Sequence, residues 1–434
     1  MATSTPSLRP TLVRGEGVHV WDAEGRRYLD AISGSFAVQL GYGRADLARA
    51  LTEAASRLAY ARPSRFESEE SEAYAEEILL AAGPPYTRAI FTTSGSEAVD
   101  AALKAAYRYQ SARGHPGRTG VAHLRGHFHG ATLGALRVTD VRARRAPYEL
   151  LLGGAPPPID PEAGPLEEAM GNSGALLAET IPAAGLGAPV PRPGFLAEIR
   201  QACDARDALW IADEVLTGFG RVGSLFAWKR LTERGEDRGA RPDIIAFGKG
   251  AGGGYAPIGG VLFAERVASV LDSAPDGAFS HAQTYGGHAI ACAVGRHVLA
   301  VMREENIESR VREKEKALRE ALSALSAHPH VLDVRGLGFL WGVLLRKDRR
   351  TGEPFPRELR IAERVEAACR DRGLLVFSGS GSHDGNLGDH LLVGPPLVSD
   401  THHFPQIAIG IRESLDAVMR EGAGPFPGAH AVQS

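Results

Sequence analysis

Between Arg88 and Phe247 the chain repeats one unit: a short apolar run, a polar or glycine-containing turn, then a helical or loop segment. The apolar runs are "RAIFTT", "TGVAHL", "GALLAET", "ALWIAD" and "DIIAF", and "SEAVDAALKAAYRYQ" is an alanine-rich helix between the first two. Such alternation implies a parallel sheet with helices on both faces, and so predicts an α/β fold. It also predicts where chemistry can sit, because ligands of open parallel sheets bind beyond the carboxyl ends of the strands.

The flanks read differently. "VHVWDAEGRRYLDAISG" alternates around a hairpin-like "DAEG" and suggests a small antiparallel unit. Helices are expected at about Arg44–Leu58 and Glu67–Ala81. From about Ile307 a long charged helix leads to "VLDVRGLGFLWGVLL", the helix "RELRIAERVEAACRDRG" and the strand "HLLVGP", which suggest a smaller α+β domain. A chain of 434 residues is long enough for two domains.

Composition removes several classes of function. With 49 basic against 52 acidic side chains, and no basic stripe interleaved with aromatics, nucleic-acid binding has little support. No apolar stretch is long enough to span a bilayer, and the N-terminus lacks the apolar run of a signal peptide. Cys203, Cys292 and Cys369 are far apart and odd in number, which argues against a disulfide framework and fits a reducing cytoplasm. "HFH" has no third ligand to accompany it, so no metal site is expected.

Three strand ends carry candidate chemistry. After "RAIFTT", Ser94, Gly95 and Ser96 turn into a helix. Free N–H groups and a glycine there can cradle a phosphate, although a plain serine cap would look the same. "LWIAD" ends on Asp213, followed by Glu214; a carboxylate there can cap the next element or hold a protonated ring nitrogen. "DIIAF" delivers Lys249 into "GKGAGGG". A nucleotide P-loop fails, because Gly250 follows the lysine and Asp243 stands where the first glycine should be. A dinucleotide fingerprint lacks its helix, since Tyr255 and Pro257 interrupt. A lysine desolvated among glycines becomes nucleophilic toward an aldehyde. Phosphate cradle, ring-nitrogen carboxylate and Schiff-base lysine together describe pyridoxal phosphate (PLP).

"TTSGSEAVDAALKAA", "GHFHGAT", "IADEVLTGFGR", "DIIAFGKGAGGGYAPIGG" and "HAQTYGGHAIACAVG", in this order and at these spacings, make the chain resemble the class-III (subgroup II) aminotransferases of PLP fold type I. The resemblance covers nearly the whole chain. It implies a large domain with a mixed, mostly parallel seven-stranded sheet, plus a smaller α+β domain built from the C-terminal part and the N-terminal segment. The corresponding division is 1–65, packing with the small domain; 66–306, the large PLP-binding domain; 307–424, the small domain; and 425–434, a flexible tail. It further implies that Lys249 forms the Schiff base with PLP and that Asp213 bonds the ring nitrogen. Val215 would pack under the ring and Phe128 stack on its other face, with His129 next to it. Gly95 and Ser96 would cradle the phosphate, and Glu179 would lie at a strand end near the cofactor. Thr284 matches a threonine that reaches the phosphate of the partner subunit, which implies a homodimer with shared active sites and leaves open a tetramer.

The implied reaction moves an amino group from a primary amine or ω-amino compound to a keto or aldehyde acceptor. Racemases or epimerases, aminomutases and decarboxylases share Lys249 and Asp213 on this scaffold and form the alternative. Substrate-loop residues depart from the amine:pyruvate transaminases. The stretch "FSGSGSHDGNLGDHLLVGPPL" has no arginine to pair with an acceptor carboxylate. Phe36 stands where those enzymes often place a pocket-lining tryptophan, and Arg335 is expected to be mainly structural.

Overall fold

Six strands form the central sheet: β1 (Tyr86–Thr92), β2 (Val121–His123), β3 (Ala175–Glu179), β4 (Leu209–Asp213), β5 (Ile244–Phe247) and β6 (Gly259–Ala264). Their order is β1-β6-β5-β4-β3-β2 in the computed structural model, which describes residues 10–153, 156–233, 235–274 and 277–422. Strands β2 to β5 run parallel, while β6 is antiparallel to both β5 and β1. The apolar-run pattern did not include β6. Its "GGVLFA" continues directly from the glycine loop, with no helix to mark it off.

The expected seven strands are six among the described residues, with the seventh place held by a single parallel bridge from Leu124 to Ile159. Ile159 follows Pro156, Pro157 and Pro158, which have no N–H to donate, so the pairing cannot extend toward the N-terminus.

Both faces of the sheet are covered, which is why its strands are apolar throughout. Leu209 and Ile211 of β4 join one core cluster, while Trp210 and Ala212 join the other. Burying each such large apolar side chain contributes roughly 1.5–3 kcal/mol. The helix Gly95–Ala112 lays Ala98, Ala101, Ala102, Ala105 and Ala106 against the first cluster. Alanine ends at Cβ, so this helix approaches the sheet closely and its N-terminus sits at the carboxyl ends of the strands.

The N-terminal strands Leu12–Glu16, His19–Asp22 and Arg27–Asp30 form an antiparallel sheet, which Leu374–Leu375 joins in parallel. A second antiparallel sheet takes Val331–Leu337, Leu340–Leu345, His390–Val393 and Phe377–Gly379 in that order. The helices Ile307–Ser323, Ile361–Asp371 and His403–Glu421 accompany it. The expected early helices form as Ala45–Arg57 and Glu69–Ala82. All three cysteines are buried and free. Among the described residues no helix is long and apolar enough to cross a membrane. The expected tail at 425–434 lies outside the described residues.

Candidate active site

Three adjacent strands end together. Asp213 closes β4, Glu179 closes β3 directly beside it in register, and β5 runs into Gly248 and Lys249. The two carboxylates divide into separate environments from their neighbours. Asp213 Oδ2 lies 2.8 Å from His129 Nδ1, and Asp213 Oδ1 accepts the Val215 N–H at 3.0 Å. Glu179 Oε2 accepts the Phe128 N–H at 2.8 Å, and the Glu179 N–H donates to His127 Nδ1 at 2.9 Å. Phe128 and His129 are therefore fixed by consecutive contacts to the two strand-end acids. Burial, reinforced by the nearby Asp213 charge, pushes the Glu179 carboxyl up to about 8.

Glu214 takes the other role that a strand-end carboxylate can have. It is fully buried and accepts from the N–H groups of Ala227 at 2.9 Å and Trp228 at 2.8 Å, and from the Thr180 hydroxyl at 2.7 Å. It thus caps the helix Ala227–Leu231 and leaves Asp213 to face the site.

Lys249 sits in the left-handed region, with φ +42°, at the start of a single 3₁₀ turn. Its Nζ makes no hydrogen bond or ion pair with a described residue and lies 6.0 Å from the centroid of the Phe36 ring. Burial lowers its pKa, opposed by the Asp213 and Glu179 charges. The neighbouring glycines make close contacts that a side chain would block. A Cβ on Gly248 would lie 3.0 Å from Gly95 Cα, and one on Gly250 would overlap the Gln39 amide. Gln39 Nε2 donates to Gly250 O at 2.7 Å and to Phe219 O at 3.1 Å, anchoring the turn from the N-terminal segment.

The helix start at Gly95 completes the arrangement. Ser94 is its N-cap, and Ser96 Oγ accepts the Ala131 N–H at 3.0 Å, tying the helix to the loop that carries Phe128 and His129. Gly95 packs against Val215, leaving no room for a Cβ. One continuous set of contacts thus joins Gly95, Ser96, Phe128, His129, Glu179, Asp213 and Val215, and Lys249 adjoins it through Gly248, which packs against Gly95. Thr284 is separate: it is exposed on the loop before the helix Ala289–Glu304, with no hydrogen bond to the others among the described residues. Arg335 donates to Gly187 O at 3.1 Å and to Leu186 O, as a structural residue would. The sequence did not single out Gln39, His127 or Arg221. Of these, His127 and Arg221 lie in quoted motifs, but nothing local marks their partners.

The set fits PLP. A partly buried lysine without a hydrogen-bond partner among the described residues feels the charges of two acids. His129 Nε2, buried on the same ring that meets Asp213, also has no partner. The free first-turn N–H groups of a helix stand at the glycine where an anion can approach. Fold and site are those of a PLP enzyme of fold type I.

A class-III aminotransferase family model matches residues 1–412. The chain is 34% identical over 431 residues to a probable aminotransferase of Mycobacterium tuberculosis, covering 94% of this chain and 89% of that protein. It is also similar to the solved structure of an (S)-enantioselective ω-transaminase from Thermomicrobium roseum, with TM-score 0.81 and 32% identity, covering 95% and 93% of the two chains. An amine transaminase from an uncultivated Pseudomonas species, in its PLP-bound form, matches with TM-score 0.82 and 27% identity over 97% and 98%. The chain belongs to the class-III aminotransferase family and is a PLP-dependent aminotransferase that works on amine and keto substrates.

Proposed function

We propose that this aminotransferase takes its amino group from primary amines whose reacting carbon bears no carboxylate, or bears it at a distance. The observation that carries this reading is the wall beside Lys249. Phe36 and, behind it, Phe377 stand there, with ring centroids 6.3 Å apart, and Arg335 is engaged with backbone carbonyls. The (S)-enantioselective ω-transaminase named above supports the same substrate class by similarity.

Bound PLP supplies an aldehyde that exchanges amines and a ring that accepts the electron pair released at the substrate carbon. The rest falls to the chain. Lys249, its ammonium disfavoured by burial, would hold the aldehyde through Nζ and, when freed from it, would serve as the base at the substrate carbon. Asp213 holds a proton at the ring nitrogen, and His129 fixes the carboxylate's direction through its 2.8 Å contact. Val215 and Phe128 would flank the ring. Gly95 and Ser96 would bind the phosphate, and Thr284 of a second copy would reach that phosphate across a homodimer. Glu179 orients the Phe128 loop. The division at 65/66 and 306/307 separates this cofactor-binding part from the segments that pair through Leu374–Leu375.

The test is direct. Purified protein reconstituted with PLP is mixed with single amines, with no acceptor. Stoichiometric loss of the cofactor's visible band, with pyridoxamine phosphate recovered, is expected. Racemised amine or released CO₂, with the band restored, would refute it. Lys249→Ala is expected to abolish the band of covalently held cofactor.

A further inference from the structure

We propose that Arg221 and Ser33 are positioning residues that set substrate specificity by holding the Phe36 ring as a wall beside Lys249. The inference rests on the reading of Lys249 as the cofactor lysine.

Phe36 is delivered by an unusual arc of backbone. Ser33 has φ +50°, Gly34 +69° and Phe36 +62°, the left-handed region that residues with a Cβ avoid. Such a conformation persists only where its surroundings over-determine it. Here the surroundings come from three distant parts of the chain. Arg221 donates from Nη2 to Ser33 Oγ at 3.0 Å, and from Nη1 to Pro395 O at 2.7 Å and Phe339 O at 3.2 Å. Ser33 Oγ passes its own hydrogen to Gly394 O at 2.7 Å. Asp30 accepts from the N–H groups of Ile32 at 2.9 Å and Gly34 at 2.6 Å, pinning the entry to the arc.

Two basic side chains lie near the ring. Arg221 Cζ is 5.9 Å from its centroid and Lys249 Nζ is 6.0 Å from it. Gly394 lies against the ring, so that a Cβ there would come within 2.7 Å of Phe36 Cδ1. The ring can take this place only if the arc and the strand end at Gly394 keep their spacing. The Arg221–Ser33–Gly394 chain sets that spacing.

Arg221 is 1% exposed and, among the described residues, forms no ion pair. The nearby Asp30 carboxylate is filled by Ile32, Gly34 and the Tyr42 hydroxyl at 2.7 Å. Burying a guanidinium against neutral oxygens is costly. What it supplies is a planar fork that reaches three acceptors in fixed directions while its face meets an aromatic ring. If the fork is removed, the arc relaxes, the ring leaves Lys249, and space opens for a larger substituent on the incoming amine.

The experiment compares the largest and smallest primary amines that the wild type accepts from a graded series. Ser33→Ala removes the hydroxyl link and leaves Arg221 in place; Arg221→Gln removes the fork. Both are expected to raise the large-over-small ratio of kcat/KM, by about threefold and about tenfold respectively, in the direction of Phe36→Ala. Added to Phe36→Ala, Ser33→Ala is expected to change the ratio no further. A crystal structure of cofactor-free Ser33→Ala is expected to show the Phe36 ring displaced. An unchanged ratio with the ring in place, or an equal Ser33→Ala effect with Phe36 absent, overturns the proposal. If Arg221→Gln fails to fold, Ser33→Ala decides. A wild type that transfers no amino group refutes the reaction reading instead, and the position of the ring still tests this one.

Discussion

Replacing Gly95 by alanine isolates one contact at the helix start proposed to cradle the cofactor. A Cβ at Gly95 would overlap Val215 Cγ1 and stand 2.9 Å from Cγ2 and 3.3 Å from Cβ. Val215 cannot simply withdraw, because its N–H is bonded to Asp213 Oδ1 at 3.0 Å. Gly95 is the first residue of its helix and is not among the positive-φ glycines, so alanine brings no backbone strain there. On propensity alone, alanine would favour the helix by up to about 1 kcal/mol. Destabilisation would therefore report the overlap, and overpacking of this kind costs about 1–3 kcal/mol. Val215→Ala removes both Cγ atoms and should itself cost about 1–2 kcal/mol. In the double variant the overlap is gone, so its loss should fall short of the sum of the two single losses by at least about 1 kcal/mol. Urea unfolding of the four cofactor-free proteins gives the cycle, and PLP titration gives its counterpart in cofactor affinity. Additive losses within about 0.5 kcal/mol, or a Gly95→Ala protein as stable as wild type, would refute the packing argument.

Other outcomes follow from the same geometry. In the cofactor-free protein Glu179 ionises near 8, against an ordinary 4.5, so the folded form keeps a proton that the unfolded chain gives up. The stability due to the neutral acid is full below the lower value and is lost as pH rises through the higher one, at about 1.4 kcal/mol per pH unit between them. Glu179→Gln should flatten the fall in Tm between those pH values, and parallel wild-type and variant curves would count against it. Gln39→Leu leaves the Gly250 and Phe219 carbonyls without their donor, and should cost about 2–4 kcal/mol in urea unfolding. A loss under about 1 kcal/mol would mean that the Lys249 turn is held by other contacts. His129→Phe removes the partner of Asp213 and should weaken PLP binding about tenfold, while His129→Asn, which can still donate, should restore part of it. Equal affinities for the two variants would rule out this role for His129.

Much of the site was legible in the chain because its parts are local. A strand that ends on Asp213, or that runs directly into Gly248 and Lys249, carries its function in consecutive residues. A serine-glycine turn into an alanine-rich helix likewise announces the cap. Parallel strands with both faces covered must be apolar throughout, and so the sheet could be read without alignment.

What the sequence by itself determined is therefore the class of fold and the cofactor, each written in runs of a few neighbouring residues. Tertiary structure decided the rest. It slotted β6 antiparallel between β1 and β5, and cut the seventh strand to one bridge at a proline run. It closed the N-terminal sheet with Leu374–Leu375. It brought Arg221 to Ser33 across 188 residues and Gln39 to Gly250 across 211. No helical or strand period links positions so far apart. Their pairing follows from where the sheet, the N-terminal arc and the C-terminal strands come to rest, and that packing puts Phe36 beside the lysine.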